Sequence, residues 1–191
     1  MSFYSEKELK EIGFKSFGKE VLISRKISIY GAENMSIGDN VRIDDFCILS
    51  GEINIGSHIH IAAGNYIFAG STGVELKDFV GLSSRCSIYA TSDDYTGRAL
   101  IGPIIPEKYR RVQSRKVILE KYTVLGSGTT LLPGSYLEEG VAVGANSLVY
   151  KRLKEWSIYS GSPVTKVRDR KKELLEKAKV FELEYQERKK P

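Results

Sequence analysis

Few side chains in this chain are chemically able, and they are unevenly placed. Its only histidines are His58 and His60, two apart in SHIHIA. A zinc site takes three or four well-placed ligands, and two histidines without a nearby cysteine or carboxylate cluster do not supply them, so no metal is expected. The two cysteines, Cys47 and Cys86, are too few for a disulfide framework. An aspartate pair, Asp93 and Asp94, stands before Tyr95 at the start of the long segment ATSDDYTGRALIGPIIPEKYRRVQSRK, residues 90–116. A carboxylate there could orient an amine and help remove its proton, although an ordinary aspartate near pKa of about 4 is a weak base. The bland alternative is a pair of turn residues. Ser84, in GLSSRCS, could hydrogen-bond an acceptor or stand as a solvent-exposed corner serine. The candidate catalytic residues are therefore Asp94, Asp93 and Ser84, in that order.

These groups need a scaffold, and the sequence spells one. From Ile37 every sixth residue is aliphatic: Ile43, Leu49, Ile55, Ile61, Ile67. The period returns at Leu76, Leu82 and Ile88, and again at Leu119, Leu125, Leu131, Leu137, Val143 and Val149. Four residues after each stop runs a column of mostly smaller residues, including Val41, Cys47, Ile53, Ile59, Val80, Cys86, Thr123, Thr129, Ser135 and Ser147, with Asn65 as its large polar member. A helix of 3.6 residues per turn cannot keep one face buried at a strict period of six. A solenoid can, if each hexad gives a short strand and a turn and successive coils stack. In this register both cysteines point inward and are expected to be buried. His58 and His60 point outward, as surface or substrate-contacting side chains.

The repeat is flanked and interrupted. Residues 1–18 carry the capping-box spelling Ser5 to Glu8, then Leu9, Ile12 and Gly13, which predicts a short helix capping the solenoid end. Residues 19–167 are the solenoid, with residues 90–116 inserted as a loop. Residues 168–191 turn helical and charged, with Leu174, Ala178, Phe181 and Tyr185 on one stripe. Glu and Lys alternate there, which favours a docked helix over a nucleic-acid arm. The balance of 29 basic and 24 acidic residues gives +5, a mild prior for an anionic partner. No run approaches the roughly 18 apolar residues of a membrane helix. No export signal is read, and the expected location is cytoplasmic.

These hexads resemble the hexapeptide-repeat acyltransferases, with their [Ile/Leu/Val]-Gly-x-x-x-x signature. The resemblance implies an all-β fold: a left-handed parallel β-helix, three hexads per coil. It also implies a homotrimer with active sites at subunit interfaces, into which the loop reaches. Galactoside- and maltose-type O-acetyltransferases of the family carry a histidine where the chain leaves the solenoid. Here Asp93 and Asp94 occupy that region. An alcohol needs a base tuned near neutrality, whereas an amine is already a nucleophile once deprotonated. The departure leans towards N-acylation. The resemblance looks like that of the nucleotide-linked 4-amino-4,6-dideoxysugar N-acyltransferases, such as those of anthrose biosynthesis.

Acyl-CoA is the implied donor. Carried over from the family, its arm would lie along Gly126, Ser127, Gly144 and Ala145. Small residues there let a thin pantetheine approach the backbone. In SGSPVTK, Pro163 matches the family's adenine-end segment, while Thr165 stands where a basic residue is common. Lys151, Lys166 and Arg168 are the candidate phosphate contacts. Tyr66, Tyr95, Arg98 and Tyr109 would suit a nucleotide-sugar substrate. The rival readings are a sugar O-acetyltransferase using a histidine or aspartate as base, and a non-catalytic scaffold.

Overall fold

A computed structural model describes residues 2–188 of the chain. The hexads build coils of a parallel β-solenoid. Ile43 pairs with Ile61, and Leu125 with Val143, eighteen residues apart in each case, so three hexads complete one turn. One face carries seven parallel strands: Val21–Ile23, Val41–Ile43, Ile59–Ile61, Gly81–Leu82, Val124–Leu125, Ala142–Val143 and Ser157–Ser160. The other two faces are joined because the long strands Ile48–Ile55 and Tyr66–Leu76 run through the corner between them.

The period of six works because each position has its own physical duty. Every residue of the aliphatic column is buried, Ile61 and Leu131 completely. The column four residues on is buried too, and its polar members satisfy carbonyls inside the corners. Thr129 Oγ1 donates to the Gly144 carbonyl at 3.0 Å, Ser147 Oγ to the same oxygen at 2.7 Å, and Asn65 Nδ2 to the Ala62 and Ser83 carbonyls. At twelve of the fifteen stops the residue three on turns the corner in the left-handed region. Asn40, His58, Phe79 and Tyr122 lie there at φ between 52° and 63°, as do Gly64, Gly128 and Gly134. Glycines directly after the stop answer a different demand. A Cβ on Gly38, Gly56, Gly126 or Gly144 would lie 2.5–2.7 Å from the next coil.

A helix forms at each end of the chain, as the spelling predicts. Helix α1 (Glu6–Ile12) starts at Ser5, whose hydroxyl accepts from the Glu8 amide while Glu8 accepts from the Ser5 amide, and stops at Gly13 with φ 81°. The structure begins the solenoid at strand Ser16–Phe17. At the other end, strand Thr165–Asp169 folds back antiparallel on Ser157–Ser160 before helix α2 (Leu174–Arg188). Helix α2 lies on one corner. His58 stacks on Phe79 at 4.8 Å and Phe79 on Tyr122 at 5.2 Å, with Trp156 beyond, and Phe181 and Tyr185 set their edges on His58 at 5.0 and 4.7 Å. Tyr185 Oη donates to Glu20 at 2.7 Å, and Arg170 donates to the carbonyls of Tyr122 and Gly140. His58 is thus part of an aromatic ladder, with Asn40 Nδ2 at 3.0 Å from its Nδ1, and not a bare surface histidine. Among the described residues no helix is long and apolar enough to cross a membrane.

Candidate active site

The inserted segment leaves the solenoid as a short antiparallel stem, Thr91–Ser92 against Gln113–Ser114, with Leu100 bridged to Arg110. Two carboxylates hold its shape. Asp93 accepts from the Gly102 amide at 3.1 Å and from Arg110 Nη2 at 3.2 Å. Asp94 is 4% exposed; its oxygens take the Thr96 amide at 3.0 Å, the Thr96 hydroxyl at 2.7 Å and the Arg98 amide at 3.2 Å. The Thr96 hydroxyl and amide, helped by the Arg98 amide, hold the Asp94 carboxyl below the usual carboxylate range against the opposing effect of burial. Both aspartates therefore act as turn formers, the reading weighed against catalysis. They also line a cleft of about 730 Å³, together with Tyr89, Ser92, Tyr95 and Leu132. No histidine lines it. At neutral pH this wall offers a fixed negative charge that can orient an amine. A carboxylate of lowered pKa is a poor proton acceptor.

Ser84 lies elsewhere in the chain. Its Oγ is 3.4 Å from Ser127 Oγ. Both line a depression of about 320 Å³ with His60, Ala62, Gly81 and Val124. This depression and the loop cleft share no lining residue. One protomer thus does not bring Ser84 together with Asp93 and Asp94. His60 Nε2 meets Asp44 Oδ2 at 2.7 Å, and Arg42 Nε donates to Asp44 Oδ1 at 2.7 Å. Burial pushes the Asp44 carboxyl up, but the bonds from His60 and Arg42 outweigh it and leave a net lowering. The sequence reading missed this group. Its signal was available, since Arg42 and His60 occupy the same outward place in successive coils and pair in register.

The remaining candidates scatter. Gly126 and Gly144 are filled from behind by the next coil, so stacking alone demands glycine at both positions. This is the corner role weighed beside closeness to a pantetheine arm, and the two are compatible. Ala145 and Pro163 are exposed. Lys166 is paired with Asp169 at 2.6 Å, Lys151 lies over the Tyr150 ring at 5.6 Å, and Arg168 is exposed. Of the four proposed nucleotide-sugar contacts only Tyr95 lines the loop cleft. Tyr66 is half-exposed on its strand, and Arg98 and Tyr109 stand on the outside of the loop, Tyr109 beneath Lys108 at 4.8 Å. Both thiols are buried; Cys47 lies 3.2 Å from the Ala62 carbonyl and Cys86 3.3 Å from that of Gly126. Burial raises both their pKa values, which suits core residues rather than nucleophiles. Among the described residues no three His, Cys, Asp or Glu side chains gather as a metal-holding group.

No protein-family model matches the chain. Individual proteins do. The dTDP-4-amino-4,6-dideoxy-D-glucose acyltransferase of Escherichia coli is 41% identical over 184 residues, 95% of each chain. WbbJ of Escherichia coli K12, an O-acetyl transferase by name, is 30% identical over 158 residues, covering 79% of this chain and 78% of its own. Among solved structures, AntD, an N-acyltransferase from Bacillus cereus, was crystallised with dTDP and 3-hydroxybutyryl-CoA. It is 50% identical and covers 97% of this chain and 98% of its own, with a TM-score of 0.95. The same protein, with one serine replaced, has been solved with dTDP-4-amino-4,6-dideoxyglucose and coenzyme A. Extent and identity together place this chain in the hexapeptide-repeat acyltransferase family, among the acyl-CoA-dependent N-acyltransferases of nucleotide amino sugars.

Proposed function

We propose that this chain transfers an acyl group from acyl-CoA to the 4-amino group of a dTDP-linked 4-amino-4,6-dideoxyhexose. The observation that carries the reading is the loop cleft: its wall is an ionised Asp94 with no histidine beside it. The AntD complexes, which hold a dTDP-amino sugar and coenzyme A, support the same pair of substrates. The amine attacks the thioester carbon directly. An N–C bond forms, the C–S bond breaks, and the displaced thiolate leaves. The amine's proton ends on that sulfur, because a thiol with a pKa near 8.5 is a far better resting place than a carboxylate whose pKa its hydrogen bonds lower further. Asp94, with Asp93 behind it, holds the amine; Ser84 hydrogen-bonds the acceptor.

Ser84 and Asp94 lie in separate depressions of one protomer, so the working site is assigned to the interface of a homotrimer, one copy supplying each. The loop presents Ile101 and Ile104, the latter 91% exposed, which would gain from a neighbouring copy's surface. In that groove the coenzyme arm runs by Ser127 and Ala145, and its phosphate end lies near Lys151, Pro163, Lys166 and Arg168. Tyr66, Tyr95, Arg98 and Tyr109 are proposed to receive the nucleotide. The protein is placed in the cytoplasm, consistent with two free thiols.

The test is mass spectrometry of products from a mixed acyl-CoA pool, offered dTDP-4-amino-4,6-dideoxyglucose and its 4-hydroxy counterpart. Acylation confined to the amino sugar is expected. Acylation of the hydroxy sugar would put the O-acetyltransferase reading first, and failure to bind coenzyme A by titration would favour the scaffold. Mixing Ser84→Ala and Asp94→Ala chains should restore part of the activity that each has lost. No recovery in confirmed mixed trimers would remove the shared site.

A further inference from the structure

Seventeen of the eighteen glycines have a reason within the chain itself. Each either takes a positive φ or would drive a Cβ closer than 3.0 Å to a neighbouring coil. Gly81 does neither. Its φ is ordinary, and a Cβ there would meet only Val124 Cγ2 at 3.7 Å, a normal contact. A glycine inside a strand weakens it and leaves a gap where a side chain would pack. The outward row through this point reads Arg42, His60, Gly81, Val124, so the row collapses to nothing between His60 and Val124. That gap is the floor of the depression lined by Ser84 and Ser127.

We propose that Gly81 and His60 form a seat for the hexose ring of the acceptor, Gly81 by letting the ring lie against the sheet and His60 by hydrogen-bonding its hydroxyl. The inference rests on the amino-sugar acceptor named above. Asp44, ionised and already taking Arg42, only accepts, so the imidazole hydrogen sits on Nε2 and Nδ1 is the ring's remaining polar atom. The seat's polar side chains are then one imidazole and the three serines Ser83, Ser84 and Ser127, flanked by the apolar Ala62, Leu82 and Val124. Hydrogen-bonding groups beside apolar side chains match a deoxy sugar, with hydroxyls on one part and a methyl on another. His60 is a positioning residue here and takes no proton in the reaction.

The test is steady-state kinetics of Gly81→Ala with dTDP-4-amino-4,6-dideoxyglucose and acyl-CoA, alongside thermal melting. The expected result is a KM for the sugar raised about tenfold or more, kcat within about threefold, KM for acyl-CoA unchanged, and Tm equal or higher because the added methyl fits. His60→Phe should raise the sugar KM similarly, and His60→Asn, which restores a polar group, should recover part of it. A sugar KM within twofold of wild type in a normally melting Gly81→Ala protein overturns the seat. So does a rise confined to the acyl-CoA KM, which would give the gap to the donor. Wild-type protein run in parallel separates the two levels: if it does not acylate the sugar, the proposed function fails; if it does and the variants behave like it, only the seat fails.

Discussion

The coils and the inserted loop are stabilised by opposite means. In the coils the side chains that hold the structure are aliphatic, buried and repeated, and the strand amides are bonded to the coil beside them. In the loop the apolar residues face outward, Ile101 at 63% and Ile104 at 91% exposure, and two carboxylates gather the backbone around themselves. Burial of oil gives a scaffold indifferent to pH. Carboxylates collecting amides give a segment whose shape depends on charge, and it is this segment that walls the cleft.

The contrast can be broken most severely from the coil side. Leu131→Asp would bury an unpaired carboxylate at a site with no solvent access, a cost of several kcal/mol. The expected outcome is insoluble or unfolded protein, checked by circular dichroism and melting. A normally melting variant would mean the column does not hold the fold. On the loop side, Asp94→Asn should leave the melting of the coils alone while kcat/KM for the amino sugar falls by roughly 10²–10⁴. Thr96→Ala sharpens the cause. It removes the hydroxyl that binds Asp94 but keeps the charge, so it should cost less than about tenfold. If Thr96→Ala costs as much as Asp94→Asn, the aspartate acts only by shaping the loop.

The smallest effect separates the regions by pH. The folded pKa of Asp94 lies below its unfolded value of about 4. Its contribution to loop order is therefore complete above that value and is lost as pH falls through the folded pKa. Amide-exchange protection at Thr96 and Arg98 should fall below about pH 4 while that of Ile88, in the coils, holds. Simultaneous loss at all three would join the regions into one unit.

Much of this was legible because a period of six has few physical solutions. Fifteen aliphatic stops named the buried column, and both cysteines and Asn65 fell where the structure buries them. The corner residues were legible too, though less plainly. His58, Phe79 and Tyr122 all stand three after a stop, and that shared place is what stacks them. The site was harder. Asp93 and Asp94 could be located, but not what they bind, since Gly102 and Arg110 come from the far limb of the loop. Gly81 looked like any other glycine of a glycine-rich repeat. Only the space around it, which no spelling records, sets it apart.

Helix α2 bears on how the chain folds and comes apart. In a stacked array each coil touches only its neighbours, so coils can fray from an end one at a time. Here Arg170 grips the carbonyls of Tyr122 and Gly140, while Tyr185, fifteen residues further on, reaches Glu20 at the opposite end, a contact spanning 165 positions of sequence. Such a splint raises contact order and slows assembly. It also couples the first coil to the last ones, so that fraying at either end must first undo the helix. A nearest-neighbour array thereby gains a link between its two ends.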